Sequence, residues 1–138
     1  MIQVLQKKGI QYFFPIQYNT FEIIHSGQDL IGRDRTGSGK TMAYSLPVIE
    51  RFRQYEMLKN PYIKFLIVLP TRELCIQVTN EIDSLKLHSK EFTVLSLYGG
   101  VETHHQINKL RDKVDIIVAT PGRLIDLLQR GKVNFEGI

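Results

Sequence analysis

The chain lacks most of what would place it in a specialised class. It has one cysteine, Cys75, so no internal disulfide can form and nothing points to an oxidising compartment. That thiol falls between Leu74 and Ile76 and reads as a small side chain turned to the core. There is no charged-then-apolar leader, and no apolar run approaches the roughly 20 residues that span a bilayer. Repeats, low-complexity tracts and linkers are also missing. Together these absences predict a soluble, intracellular chain with no membrane partner.

What is present fits one ordinary domain. A length of 138 residues is enough for a single core and too short for two. The apolar share of 43% and charged share of 23% match soluble globular proteins and exclude a disordered or fibrous chain. Net charge is +4, a mild basic excess that suits a phosphate-rich partner. The excess is uneven: residues 1–69 hold nine Lys+Arg against five Asp+Glu, and residues 70–138 hold nine of each.

Short apolar runs alternate with helical stretches. The runs are DLIG (29–32), KFLIVL (64–69), FTVLSL (92–97) and VDIIVA (114–119). The second and fourth are almost continuously apolar, as strands covered on both faces must be. Helical spacing predicts helices over 15–26, 39–57, 72–87, 102–111 and 121–130. Strand, helix and strand repeated in this way imply right-handed crossovers, hence an α/β fold with a parallel sheet and helices on both faces. Gly27 and Gly131 suit helix stops, and Pro121 follows Thr120 as a first-turn proline follows its N-cap. Pro47 lies inside a predicted helix and cannot donate to the Ala43 carbonyl, so a kink or early end is expected there. The sequence stops just after a helix, at GKVNFEGI, as though the sheet lacked its next strand. A piece of a longer protein is the expectation.

The segment GRDRTGSGKT, Gly32 to Thr41, resembles the phosphate-loop pattern G-x-x-x-x-G-K-[ST], with Asp34 where the first glycine belongs. Its glycines let backbone N–H groups turn inward around phosphate oxygens, and the helix that opens there adds its positive end. Lys40 is placed to reach the β- and γ-phosphates, and the Thr41 hydroxyl is a candidate Mg²⁺ ligand, which makes these two the candidate catalytic residues. Arg35, Thr36, Gly37, Ser38 and Gly39 complete the expected nucleotide-phosphate cradle, which by itself fits kinases, GTPases, transporters and helicases alike. Gly37 and Gly39 still allow the turn, so Asp34 is expected to point away from the phosphates with its charge offset by Arg33 or Arg35.

Three further stretches narrow the class. In GIQYFFPIQ, Gly9 to Gln17, the glutamine amide carries an acceptor beside a donor, which matches the N6/N7 edge of adenine. In PTREL (Pro70 to Leu74) and TPGR (Thr120 to Arg123), a threonine at a helix N-cap follows a strand, and an arginine sits in the first turn. Free N–H groups, a hydroxyl and a guanidinium meet there, which suits a phosphate. Carboxyl ends of parallel strands share one edge of the sheet. Two such helix starts beside a nucleotide loop point to a phosphodiester chain.

In order and spacing, GIQYFFPIQ, RTGSGKT, PTREL, the Gly99-Gly100 pair and TPGR resemble the first half of DEAD-box RNA helicases. The resemblance covers nearly the whole chain and looks most like the nucleolar Gu-type branch. It implies that residues 1–138 form an N-terminal RecA-like, ATP-binding domain, incomplete at its C-terminal end, within which 9–17 is the adenine-reading segment. Gln17 would read the base. Pro70, Thr71, Arg72, Gly99, Gly100, Thr120, Pro121, Gly122 and Arg123 would line a track for RNA backbone, largely independent of sequence. Glu73 and Arg123 would support one another structurally. In the intact protein, ATP and RNA would close this domain on a second RecA-like domain, and hydrolysis would reopen the cleft. Acidic and strand-separating motifs are expected downstream, so the 138 residues alone would neither hydrolyse ATP nor unwind RNA. A nuclear or nucleolar location follows from the branch; protein partners are unspecified. The departures are Ile10, Phe13 and Phe14, where the usual adenine motif has Phe and Pro-Thr.

Blander readings cover the rest. The triplet His104-His105-Gln106 reads as a solvated helix face rather than a metal site. Tyr98 reads as packing, and the pairs Lys7-Lys8 and Arg51/Arg53 as solvated surface. Two rivals remain, a non-catalytic nucleotide- or RNA-binding scaffold and a P-loop phosphotransferase, although the latter leaves PTREL and TPGR without a purpose.

Overall fold

A computed structural model describes residues 2–55, 59, 61–136 and 138. Three of the apolar runs form strands: β1 (Phe65–Val68), β2 (Val94–Leu97) and β3 (Ile116–Ala119). All pair in parallel in the order β1-β3-β2, with Val68, Ala119 and Leu97 in register at their ends. β3 is central and wholly buried. Its side chains alternate between two cores. Ile116 and Val118 join one, with Leu46, Ile49, Phe52, Cys75 and Ile82; Ile117 and Ala119 join the other, with Leu97, Leu124 and Leu127. This is the two-sided covering that a continuous apolar run requires. Each fully buried isoleucine contributes about 2 kcal/mol, so the centre of the sheet holds much of the driving force.

The helices are α1 (Ile2–Lys7), α2 (Pro15–His25), α3 (Lys40–Gln54), α4 (Arg72–Asp83), α5 (Thr103–Leu110) and α6 (Pro121–Gln129). α1, α3 and α4 supply the first core, α6 the second, against which Ile107 and Leu110 of α5 also pack. α1 was not predicted, because six residues are too few to show a helical period. α4 ends at Asp83, four residues before the predicted end. Residues 56 and 57 of the helix predicted over 39–57 lie outside the described residues. Gly27 and Gly131 adopt positive φ as expected of helix stops.

The early end that Pro47 would have given and the solvated surface expected of Arg53 both fail for physical reasons. α3 does not end at Pro47 but continues to Gln54. The Thr20 hydroxyl, which donates to Ile16 O at 2.7 Å, also lies 3.5 Å from Ala43 O, the carbonyl that Pro47 leaves without its helical donor. Arg53 is not solvated. It donates to both carboxylate oxygens of Glu91 (2.5 and 3.1 Å) and to Leu85 O, tying α3 to the chain beyond α4. Arg51 donates to His25 O at 2.8 Å and so closes the end of α2.

The start of the sheet is fixed by one carboxylate. Asp115 Oδ1 accepts from Lys64 Nζ at 2.8 Å and Oδ2 from the Thr93 N–H at 2.9 Å, which joins the residues leading into all three strands. Both side chains of this ion pair are only 2% exposed.

The fourth predicted strand is absent. Residues 28–35 carry no regular secondary structure and enter no ladder, and Ile31 is 100% exposed. A gap of about 470 Å³ separates them from β1, lined by Leu30, Gly32, Phe65 and Ile67 among others. A strand is defined by its partner as much as by its side chains, and here none of the described residues supplies the ladder.

Candidate functional site

The loop 34–39 opens α3 as the sequence implies. Gly37 and Gly39 take positive φ, 81° and 78°, a region costly for any residue with a Cβ. At Gly39 a Cβ would also collide with the Gln17 side chain. The glycine is thus required twice, by conformation and by space. Ser38 is 9% exposed, and its Oγ is buried without a hydrogen-bond partner. An unpaired buried hydroxyl is costly unless a ligand oxygen meets it. Lys40 Nζ donates to Asp34 O (2.9 Å) and Arg35 O (2.6 Å), so the cation closes the loop on itself.

Asp34 makes no ion pair with Arg33 or Arg35. Its Oδ1 instead accepts the Arg35 N–H at 2.8 Å. A carboxylate there satisfies a loop amide, which explains how the position tolerates an anion. Thr41 is half-buried, and its side chain is close enough to Tyr44 and Glu81 to hold the pKa of each below what burial alone would give. Burial pushes the Glu81 carboxyl above its ordinary range, only partly offset by the Thr41 hydrogen bond and the charge of Lys8.

Gln17 is 4% exposed rather than open to solvent. Its Oε1 accepts the Phe14 N–H (3.0 Å), and its Nε2 donates to Gly39 O (3.1 Å). The amide therefore fastens the start of α2 to the phosphate loop. One N–H and one lone pair remain in its inventory. Two clefts flank this link. Phe14 and Pro15 face residues 34–38 across one of about 590 Å³, while residues 9–13 with Leu5 and Gln6 line another of about 500 Å³.

The other predicted residues meet at the carboxyl edge of the sheet. The ladder continues past the strands, with Leu69 N–H donating to Ala119 O and Thr120 N–H to Leu97 O, both at 2.9 Å. Pro70, Thr71, Arg72, Gly99, Gly100, Pro121 and Gly122 are exposed there, and Thr120 and Arg123 are half-buried. Thr71 caps α4 by accepting the Leu74 N–H at 3.3 Å. Thr120 has N-cap geometry, yet its hydroxyl makes no capping bond. The Arg72 guanidinium lies over the Tyr98 ring, 5.1 Å from its centroid, which adds a cation–π contact to the packing role expected of Tyr98.

Arg123 does not pair with Glu73. It donates to Gln106 Oε1 (2.7 Å) and to Val101 O (3.1 Å). His104 and His105 are exposed as expected, whereas Gln106, the third residue of the same triplet, is 6% exposed. Its role was missed because neighbouring polar residues give no sign of which one turns inward.

A glycine-cornered phosphate loop opening a helix, beside a parallel sheet covered on both faces, defines a RecA-like P-loop domain. Residues 14–138 match the DEAD/DEAH box helicase family. The chain is 38% identical over 139 residues to nucleolar RNA helicase 2-B of Xenopus laevis, covering 99% of this chain and 17% of that protein. Among solved structures, the DEAD-box helicase Mss116 bound to ssRNA and UDP-BeF superposes with a TM-score of 0.85 at 31% identity, covering 96% of this chain and 27% of that one. Prp28 from Chaetomium thermophilum bound to ADP gives 0.84 at 37% identity, covering 99% and 33%. The chain belongs to the DEAD/DEAH box helicase family, on its DEAD-box branch, and spans well under half the length of these relatives.

Proposed function

We propose that residues 1–138 are the ATP- and RNA-binding half of an ATP-dependent RNA helicase, in which a second RecA-like domain completes the site and hydrolysis drives local unwinding or RNP remodelling. The observation that carries this reading is one of placement. Lys40 and Gly32 border the same gap as Val68 at the end of β1, so the phosphate loop and the PTREL, Gly99-Gly100 and TPGR turns share one edge. Relatives solved with ssRNA and with nucleotides support it.

The loop fits a triphosphate, because the orphaned Ser38 Oγ provides a donor, Gly37 has open space beside it, and the positive φ of Gly37 and Gly39 makes the turn. Bound ATP supplies the phosphoanhydride that is cleaved. Lys40 exchanges the carbonyls of Asp34 and Arg35 for the β- and γ-phosphate oxygens. Ser38 donates to the same group, and the N–H groups of Thr36 to Gly39, with Arg35 at the loop's entrance, surround it. Gln17 presents its remaining N–H and lone pair to adenine within residues 9–17. The Thr41 hydroxyl would be a ligand for Mg²⁺, which would offset charge on the phosphates. Among the described residues no group of three or more His, Cys, Asp or Glu could hold a metal.

On the RNA side, Arg72 and the N–H groups after Thr71 and Thr120 meet backbone phosphates, and Gly99 and Gly100 let the strand approach. No base edge is addressed, so affinity falls with salt and varies little with sequence. No helix among the described residues is long and apolar enough to cross a membrane, and the nucleolar relative supports a nuclear or nucleolar site of action.

Anisotropy of a fluorescent single-stranded RNA decides the matter. Affinity should change less than about threefold when the sequence is scrambled and fall steeply with salt. Absence of RNA binding, with or without ATP analogue, overturns the reading. The chain alone should release no phosphate from ATP.

A further inference from the structure

In α5 the one buried residue is Gln106, a polar side chain. A helix resting on an apolar core would ordinarily bury a leucine or isoleucine at that point, because a buried amide costs free energy unless its groups are paired. Here both ends are paired, and each pairing allows only one orientation. Nε2 donates to Tyr98 O at 3.1 Å, a group that can only accept. Oε1 accepts from Arg123 Nη1 at 2.7 Å, a group that can only donate. Arg123 Nη2 then returns to Val101 O at 3.1 Å. Tyr98, Gln106, Arg123 and Val101 thus form a closed circuit around the turn that carries Gly99 and Gly100.

This circuit joins elements that the sheet alone does not. Tyr98 to Val101 follow β2, Arg123 belongs to the start of α6 after β3, and Arg72 after β1 lies over the Tyr98 ring. At Gly100, φ is 79°, and a Cβ there would stand 3.4 Å from Arg72 Nη1. The backbone is therefore held close against that guanidinium. We propose that Gln106 is a positioning residue for RNA binding: it touches no RNA but holds Arg123 and the Gly99-Gly100 turn in one arrangement, so that three strand ends present a single surface to the phosphodiester backbone. This rests on the RNA-binding reading above.

The arrangement explains why a glutamine occupies the site. Leucine would bury as well but would leave the Tyr98 carbonyl and one Arg123 N–H without partners. Glutamate would keep the oxygen facing Arg123 and set a second oxygen against the Tyr98 carbonyl. Methionine matches the length and supplies neither bond.

The test is a double-mutant cycle on RNA affinity, measured with a fluorescein-labelled uridine decamer and purified 138-residue chains. Gln106→Met should weaken binding about tenfold, the scale of one lost charge-assisted hydrogen bond. Arg123→Ala should weaken it similarly. The double variant should be little worse than either alone, because each breaks the same circuit. Gln106→Glu, which keeps the Arg123 contact, should recover part of the loss. Binding of a fluorescent ADP analogue should be unchanged throughout, which shows that the chains are folded. A Gln106→Met chain that binds ADP and RNA as the unsubstituted chain does, or two losses that simply multiply, would overturn the proposal. If the unsubstituted chain binds ADP but no RNA, the RNA-binding reading itself falls, and this proposal with it.

Discussion

The carboxyl edge of the sheet and the phosphate loop lie side by side and are built in opposite ways. At the sheet edge each motif is held by others: Arg72 over Tyr98, Gln106 between Tyr98 and Arg123, Arg123 on Val101. The loop is held by two glycine corners, the Gln17 amide and Lys40 bonded to its carbonyls. The segment leading into it, residues 28–35, pairs with no strand. One surface is organised without any ligand; the other satisfies itself with contacts that a phosphate, on the proposed reading, would replace. Contacts of the first kind contribute to stability, and those of the second kind mainly set affinity.

Substitutions should separate the two. The largest effect is expected at Asp115→Ala, which leaves Lys64 charged and buried beneath the sheet. A loss of about 3–5 kcal/mol is expected in urea unfolding, enough to remove the folded edge from a domain of ordinary stability. A loss below about 1 kcal/mol would mean the strand starts are held by something else. Next comes Lys40→Ala, which should weaken a fluorescent ATP analogue about 100-fold, or ~3 kcal/mol, with little change in unfolding. A large loss of stability there would break the comparison, because the loop would then be structural too.

A smaller effect lies in pH. Burial raises the Glu91 carboxyl, but hydrogen bonds from Arg53 and the Leu87 N–H, with the charges of Arg53 and His88, outweigh this and hold it below its ordinary value. A depressed folded-state value means that the contribution is complete above the unfolded carboxylate range and is lost as pH falls through the folded value. Urea midpoints should therefore drop on acidification below about pH 4.5. Glu91→Gln should flatten that dependence, and an unchanged slope would assign it to other carboxylates. The smallest effect is expected for Asp34→Ala. The carboxylate bonds the Arg35 N–H in an exposed loop, so ATP affinity should move by less than about threefold. A strong tightening would show that Asp34 faces the phosphates.

How much was legible follows from the kind of signal. β1 and β3 were readable because burial on two faces leaves a continuous apolar run, and the helix starts were readable because Thr71, Thr120 and Pro121 are local devices. DLIG has the same look, yet whether an extended segment is a strand depends on a neighbour elsewhere in the chain. Pro47 was judged by what it removes from its own helix, and Thr20, 23 residues away from Ala43, could not enter that judgement. Arg53 and Gln106 were assigned to the surface for the same reason, because their partners lie 38 and 17 residues distant.

The sequence by itself determined the parallel α/β class, the phosphate loop and the set of residues at the sheet edge. These rest on spacing, chain reversal and side-chain chemistry, all of which act over a few residues. Only the tertiary structure decided which polar groups are spent on one another: Gln17 on Gly39, Lys40 on its own loop, Arg123 on Gln106 rather than Glu73. A side chain's partner is set by where distant segments pack, and packing is a property of the whole chain.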